Sequence, residues 1–184
     1  MTMQPMFELI RSLRDFADAK TRVFALSDLR ALLPGHGEGA FKSVVTRLER
    51  RGDLTRVCRG IYILPDSTLR GSDLLGHTAT SLRAGFFNYL SLETVLSEAG
   101  VISQIPMNRL TLMSSGRSGV TDCGAYGSIE FVHTRRRAEE LSSFLTYDQR
   151  VHLWRASVPL ALRDMRITRR DTGLVNQEAT DESI

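Results

Sequence analysis

At 184 residues, 42% of them hydrophobic and 24% charged, the chain has the make-up of a soluble globular protein with one medium domain or two small ones. Two distant cysteines, Cys58 and Cys123, exclude a disulfide framework, no apolar run reaches the ~20 residues of a membrane span, and the amphipathic start "MTMQPMFELIRSLRDF" is no secretory signal, so a cytoplasmic protein is expected. The net charge is only +3, which leaves any electrostatic partner to be argued from where the charge lies.

From the N-terminus, Met6, Leu9, Ile10, Leu13, Phe16 and Ala17 recur at helical spacing with Arg11, Arg14 and Asp15 opposite, predicting a first helix. "TRVFAL" (21–26) suits a brief strand. Ser27 is placed to cap a short helix, Asp28 to Leu33, that buries Leu29, Leu32 and Leu33 and stops before Pro34. "PGHGEG" (34–39) reads as a flexible turn, longer than the three or four residues usual in a helix–turn–helix. From Ala40 to Arg51 the apolar positions Phe41, Val44, Val45 and Leu48 follow the i, i+3, i+4, i+7 rule, and Gly52 ends that helix. "DLTRVC" and "IYILP" are two strands joined by the tight turn Arg59-Gly60 and closed by Pro65. This order of elements is that of a winged helix–turn–helix.

After "PDSTLRGS" the pattern changes. Leu74 to Ala84 reads as a helix, "FFNYL" as a strand, and Leu92 to Ala99 as a short helix capped by Ser91 and ended by Gly100. "RLTLM" (109–113) and "SIEFV" (128–132) alternate as strands on either side of a Gly/Ser-rich stretch. Residues 138–147 and 159–166 read as helical, with Pro159 in a first turn. The tail "NQEATDESI" has little to bury and is expected to fray, and there is no internal repeat. The expected fold class is α+β: a winged helix over residues 1–66, then a mixed α/β domain over 67–184.

Residues 1–66 hold eleven Lys/Arg against eight Asp/Glu, and the remainder thirteen against thirteen, so the excess positive charge belongs to the N-terminal third. Only Lys20 and Lys42 among the 24 basic residues are lysine. High-GC coding is the bland source of that bias, but the planar guanidinium also suits phosphate and guanine better than an ammonium does. With Phe41, Val44, Val45 and Leu48 inward, Lys42, Ser43, Thr46, Arg47 and Arg50 share the outward face of the third helix, with Glu49 toward its edge. Short hydroxyls near a helix start and arginine within reach of guanine O6 and N7 are what major-groove reading needs. Arg56 and Arg59 on the hairpin add phosphate contacts that fix register, the second beside a glycine that lets backbone approach. The DNA-binding candidates are therefore Lys42, Ser43, Thr46, Arg47, Arg50, Arg56 and Arg59; the bland alternative is a solvated face.

Other constellations are weaker. His36, His77, His133 and His152 are scattered, with no pair at metal-ligand spacing, so neither a metal nor a cofactor is implied. "SSGRSG" (114–119) lacks the lysine and Ser/Thr of a P-loop and reads as a plain loop. Gly127-Ser128 with Glu139-Glu140 invites comparison with a nucleotidyltransferase signature, but the acids fall in a polar helical segment rather than on a strand. "TRRR" (134–137) reads as a solvated strand exit more than an anion contact, and Trp154, beside Leu153 and Val158, as core rather than a stacking platform.

The stretch "LERRGDLTRVCRGIYIL" resembles the winged helix of AbiEi-type antitoxins, members of type IV toxin–antitoxin systems. "YLSLETVLSEAGVISQIP", "LTLMSSGRSG", "YGSIEFVHT" and "ASVPLALRDM" resemble successive blocks of the same antitoxins in the same order, so the resemblance covers about residues 20–170. It implies a DNA-binding antitoxin, not an enzyme, that represses its own operon by binding promoter inverted repeats. It also implies that the second domain counters a co-encoded nucleotidyltransferase toxin and assists cooperative repression, without a stable antitoxin–toxin complex. The chain ends soon after "DMRITRRDTGLV", which predicts that part of the longer members' helical C-terminal extension is missing. Two rivals remain: a stand-alone regulator whose second domain senses a ligand or dimerises, and a degenerate nucleotidyltransferase.

Overall fold

Leu9 and Leu13, one helical turn apart and wholly buried, hold the first helix to the core of the N-terminal unit. The computed structural model describes residues 4–16, 21–102 and 108–171. Within them the chain is a mixed α+β protein, and its contacts divide it into two compact units, Met1–Arg70 and Gly71–Ile184. Ser67 and Leu69 are buried in the first unit, and the Arg70 guanidinium donates to the carbonyls of Ser67 and Leu69.

The first unit runs α1 (Pro5–Asp15), β1 (Phe24–Ala25), α2 (Leu26–Ala31), α3 (Glu38–Arg51), β2 (Thr55–Cys58) and β3 (Ile61–Ile63). Proline opens α1, where its missing N–H costs no bond. Phe16 lies outside the helix and is 39% exposed rather than inward, and Ala17 lies outside the described residues. The second helix starts earlier than Ser27 predicts: Ala25 precedes it, and the Asp28 carboxylate accepts the Ala25 N–H at 2.9 Å. An acid near the start and Arg50 and Arg51 in the last turn complement the dipole of α3. Gly52 then turns left-handed (φ 75°) and Asp53 N–H reaches back to Leu48 O at 2.9 Å. The strands are antiparallel in the order β1-β3-β2, with an irregularity between Arg56 and Cys58. Helices and sheet bury Leu29, Phe41, Val44, Val45, Leu48 and Leu54 between them.

The second unit comprises α4 (Gly71–Leu82), β4 (Asn88–Leu90), α5 (Leu92–Glu98), β5 (Arg109–Ser114), β6 (Gly119–Asp122), β7 (Ser128–His133), α6 (Ala138–Leu141), β8 (Leu145–Asp148), β9 (Leu153–Ala156) and α7 (Val158–Ile167). Its sheet has the order β6-β7-β5-β4-β9-β8; β5/β7 and β4/β9 are parallel and the other neighbours antiparallel. Successive side chains alternate between faces, so Tyr89, Met113, Val132 and Trp154 share one face and Leu90, Leu112 and Phe131 the other. Helix α7 meets the first face through Tyr89, and Arg83, just past the end of α4, meets the second through Phe131.

Four expectations are corrected here. The Gly/Ser-rich stretch contains a strand, β6, whose residues are mostly exposed because they form a sheet edge. Residues 138–147 are not one helix: α6 is four residues long, a 3₁₀ turn follows, and Leu145 to Asp148 form the opposite edge strand. Ser91 precedes α5, yet its hydroxyl donates to Asp164 at 2.8 Å rather than capping the helix. Trp154 is 41% exposed, not core, paired edge-on with Tyr147 across the β8–β9 hairpin at 5.2 Å between ring centroids. The tail "NQEATDESI" lies outside the described residues, and among those residues no helix is long and apolar enough to cross a membrane.

Candidate nucleic-acid interface

The inward set of α3 is the predicted one: Phe41, Val44, Val45 and Leu48 are all buried. Burying them turns Lys42, Ser43, Thr46, Arg47 and Arg50 outward, and all five are exposed. Two are partly committed. Lys42 pairs with Glu38 one turn back at 3.0 Å, an exposed pair of small worth. The Ser43 hydroxyl donates to Gly39 O at 2.9 Å, which leaves its lone pairs outward. Among the described residues Arg47 and Arg50 make no ion pair, while their neighbour Arg51 is held by Asp53 at 3.0 Å.

The hairpin supplies the rest. Its two-residue turn is Arg59-Gly60, with Gly60 at φ 81°, a conformation that β-carbons resist, and Gly60 O accepts the Leu26 N–H at 2.8 Å. Arg59 stands exposed at this tip and, among the described residues, makes no ion pair. Arg56 is exposed too, but its Nε donates along its own strand to Cys58 O at 3.4 Å, so less of it is free. Burial, and next the charge of Glu49, raises the Tyr62 phenol above its ordinary range, with Arg56 opposing.

The turn between α2 and α3 is tied, not loose. The Arg30 guanidinium donates to Leu33 O at 2.5 Å and His36 O at 2.7 Å, and stacks over the Phe41 ring at 5.4 Å. One side chain thus fixes both the turn and the first buried residue of α3. Nothing in the spacing of Arg30 marks this role; an arginine on a short helix just before a Pro-Gly turn is the nearest signal.

In the second unit Arg135 and Arg137 of "TRRR" are exposed, and among the described residues neither makes an ion pair. Arg136 of "TRRR" is turned inward: it pairs at 3.1 Å with Asp164, whose side chain is 1% exposed and also accepts from Tyr89 Oη and Ser91 Oγ. Burial raises the Asp164 carboxyl, and the hydroxyls and Arg136 oppose that rise. Glu139 and Glu140 are exposed on α6, and among the described residues no three His, Cys, Asp or Glu side chains gather to hold a metal. The histidines are less scattered than they look: His77 and His152 stack edge-on at 5.8 Å, and burial, then His152, lowers the His77 pKa.

No family model and no curated protein matches this chain. Among solved structures it is similar to that of the RV2827C protein from Mycobacterium tuberculosis, with 18% identity and a TM-score of 0.49. That match covers 93% of this chain and 54% of the other, so the chain spans about half the length of that protein. A likeness at that level assigns neither fold nor function.

Proposed function

We propose that this chain is a sequence-specific DNA-binding repressor of its own operon and an antitoxin against a co-encoded nucleotidyltransferase-type toxin. The first unit is a winged helix–turn–helix, with α3 as recognition helix and the β2–β3 hairpin as wing. The observation that carries the reading is the set of exposed arginines free of ion pairs among the described residues, Arg47 and Arg50 on the outer face of α3 and Arg59 at the glycine turn. A helix with Thr46 and Arg47 outward can offer hydroxyl and guanidinium donors to base edges, and an arginine beside a glycine at the wing tip can close on a phosphate. The antitoxin half of the proposal rests on the sequence blocks of the second unit and their order.

The test has two arms. Fluorescence anisotropy with the chain's own upstream DNA and a scrambled duplex measures specificity; tighter binding to the upstream DNA is expected. Growth of cells expressing the neighbouring gene, with and without this chain under an unrelated promoter, measures antitoxicity. Equal binding to both duplexes overturns the repressor, and growth arrest that this chain does not relieve overturns the antitoxin.

A further inference from the structure

A cleft of about 640 Å³ opens in the second unit between Arg83, Phe86, the 115–118 loop and His133. It lies where two parallel neighbours, β5 and β7, end: the loop leaves β5, and His133 is the last residue of β7. The carboxyl ends of parallel strands are where open sheets leave room for ligands.

The cleft is built rather than left over. Arg83 is held between aromatic faces, its guanidinium carbon 4.6 Å from the Phe131 centroid and 5.4 Å from that of Phe86. Its Nη2 donates to Arg117 O at 2.7 Å. This position requires a glycine opposite: a β-carbon on Gly116 would fall 2.1 Å from Arg83 Nη1. Ser115 Oγ accepts the Phe87 N–H at 3.0 Å and Ser118 Oγ the His133 N–H at 2.9 Å, which fixes both hydroxyls and leaves their protons to donate. His133 Nδ1 lies 2.8 Å from Gly116 O. A carbonyl only accepts, so the proton sits on Nδ1 and Nε2 is left as an acceptor in the neutral ring. Arg117 is exposed, and among the described residues its side chain makes no ion pair. Phe86, half exposed, stands at the rim with Arg83 over its ring.

Two guanidinium groups and two hydroxyl protons call for an anion with several oxygens. A bare anion would fill little of the volume and would make no use of Phe86 or of the His133 acceptor. A planar base suits the aromatic face, and a sugar hydroxyl suits Nε2. We propose that this cleft binds a mononucleotide, its phosphate on Arg83, Arg117 and the loop hydroxyls and its base against Phe86. The proposal goes beyond the DNA-binding reading and does not depend on it.

Isothermal titration of the full chain with the four ribonucleoside monophosphates, the matching nucleosides and inorganic phosphate tests it. At least one monophosphate is expected to bind roughly tenfold or more tighter than its nucleoside and than phosphate. Arg117→Gln should weaken that monophosphate by about tenfold with an unchanged melting temperature. Phe86→Ala should weaken the monophosphate and leave phosphate binding alone. Gly116→Ala, in which the new methyl displaces Arg83, should abolish binding; melting curves show whether that variant is folded, and Arg117→Gln decides the matter if it is not. No heat from any monophosphate at millimolar concentration overturns the proposal. So does a monophosphate that binds no tighter than phosphate, or one indifferent to Arg117→Gln and Phe86→Ala.

Discussion

Arg47, on the outer face of α3, and Arg59, in the turn of the hairpin, are both exposed and both free of ion pairs among the described residues, yet the proposed docking gives them different work. A base-reading arginine loses about 1–3 kcal/mol on truncation and relaxes preference at one position. A phosphate-gripping one weakens every sequence alike and lowers the salt slope by about one. Arg47→Ala is expected to do the first and Arg59→Ala the second, read from titrations against operator and random DNA over a salt series; identical behaviour would refute the docking. Far from that face, Gly127 marks a place where a single methyl is not tolerated. Its φ is 112°, and a β-carbon there would sit 1.9 Å from Asn108 O, the carbonyl that accepts the Ser128 N–H where β5 and β7 come together. Gly127→Ala should cost at least about 2–3 kcal/mol in denaturant unfolding. A variant within ~0.5 kcal/mol of wild type would show that the approach is not so close.

At the scale of elements, α3 is held in place by Arg30 as well as by its own buried stripe. Arg30→Met keeps the aliphatic stem but loses the bonds to Leu33 O and His36 O and the cation over Phe41. It should cost about 1–3 kcal/mol of stability and weaken DNA binding although Arg30 is not among the proposed contacts. Unchanged affinity would show that the turn does not position the helix. The β8–β9 hairpin carries a pH dependence. Burial pushes the Asp148 carboxyl up, but hydrogen bonds from Arg150 and Arg155 outweigh it and hold the carboxyl below its ordinary range. A carboxyl lowered in the folded state stabilises it fully above the unfolded value, and that help is lost as pH falls through the folded one. Asp148→Asn should therefore lower the melting temperature at pH 7, with the gap closing below about pH 4; a gap independent of pH would contradict the pairing. This hairpin is also where the sequence was least legible. "LTYD" and "LWRA" are too short and too evenly mixed to show a period, and Trp154 looks like core because nothing local reveals that its strand lies next to a sheet edge. The buried face of α3, by contrast, spans enough turns for its period to be read directly.

At the scale of the whole molecule, the elements of the first unit could be read from order and periodicity, because the helix stripes and the β2–β3 hairpin are local, although β1 joins β3 across both intervening helices. In the second, α4, β4, α5, β5, β7 and α7 fall where the spacing puts them, but the order of the sheet could not be read, because its pairing is non-local. β4 lies beside β5 and β9, and the buried carboxylate of Asp164 meets Tyr89, Ser91 and Arg136 from three separate stretches. No spacing announces such a cluster. The candidate DNA contacts were legible since all lie on one helix or one hairpin; Arg30 and the cleft at Arg83 were not, since each depends on a fold-made neighbour. With contacts divided into two units, each with its own buried residues, a fragment of residues 1–70 should keep salt-dependent DNA binding, weaker than the full chain's. Residues 71–184 should bind DNA poorly yet relieve the neighbouring toxin, scored by growth. Rescue by 1–70 alone would mean that repression, not the second unit, protects the cell. The most direct test of the central claim is anisotropy of the full chain on its own upstream DNA and on a scrambled duplex, each over a salt series. The proposal predicts affinity falling linearly on logarithmic axes with salt for both duplexes, and an advantage for the upstream DNA on the order of 10³-fold at physiological salt. Equal affinity for the two duplexes, or binding indifferent to salt, would contradict it.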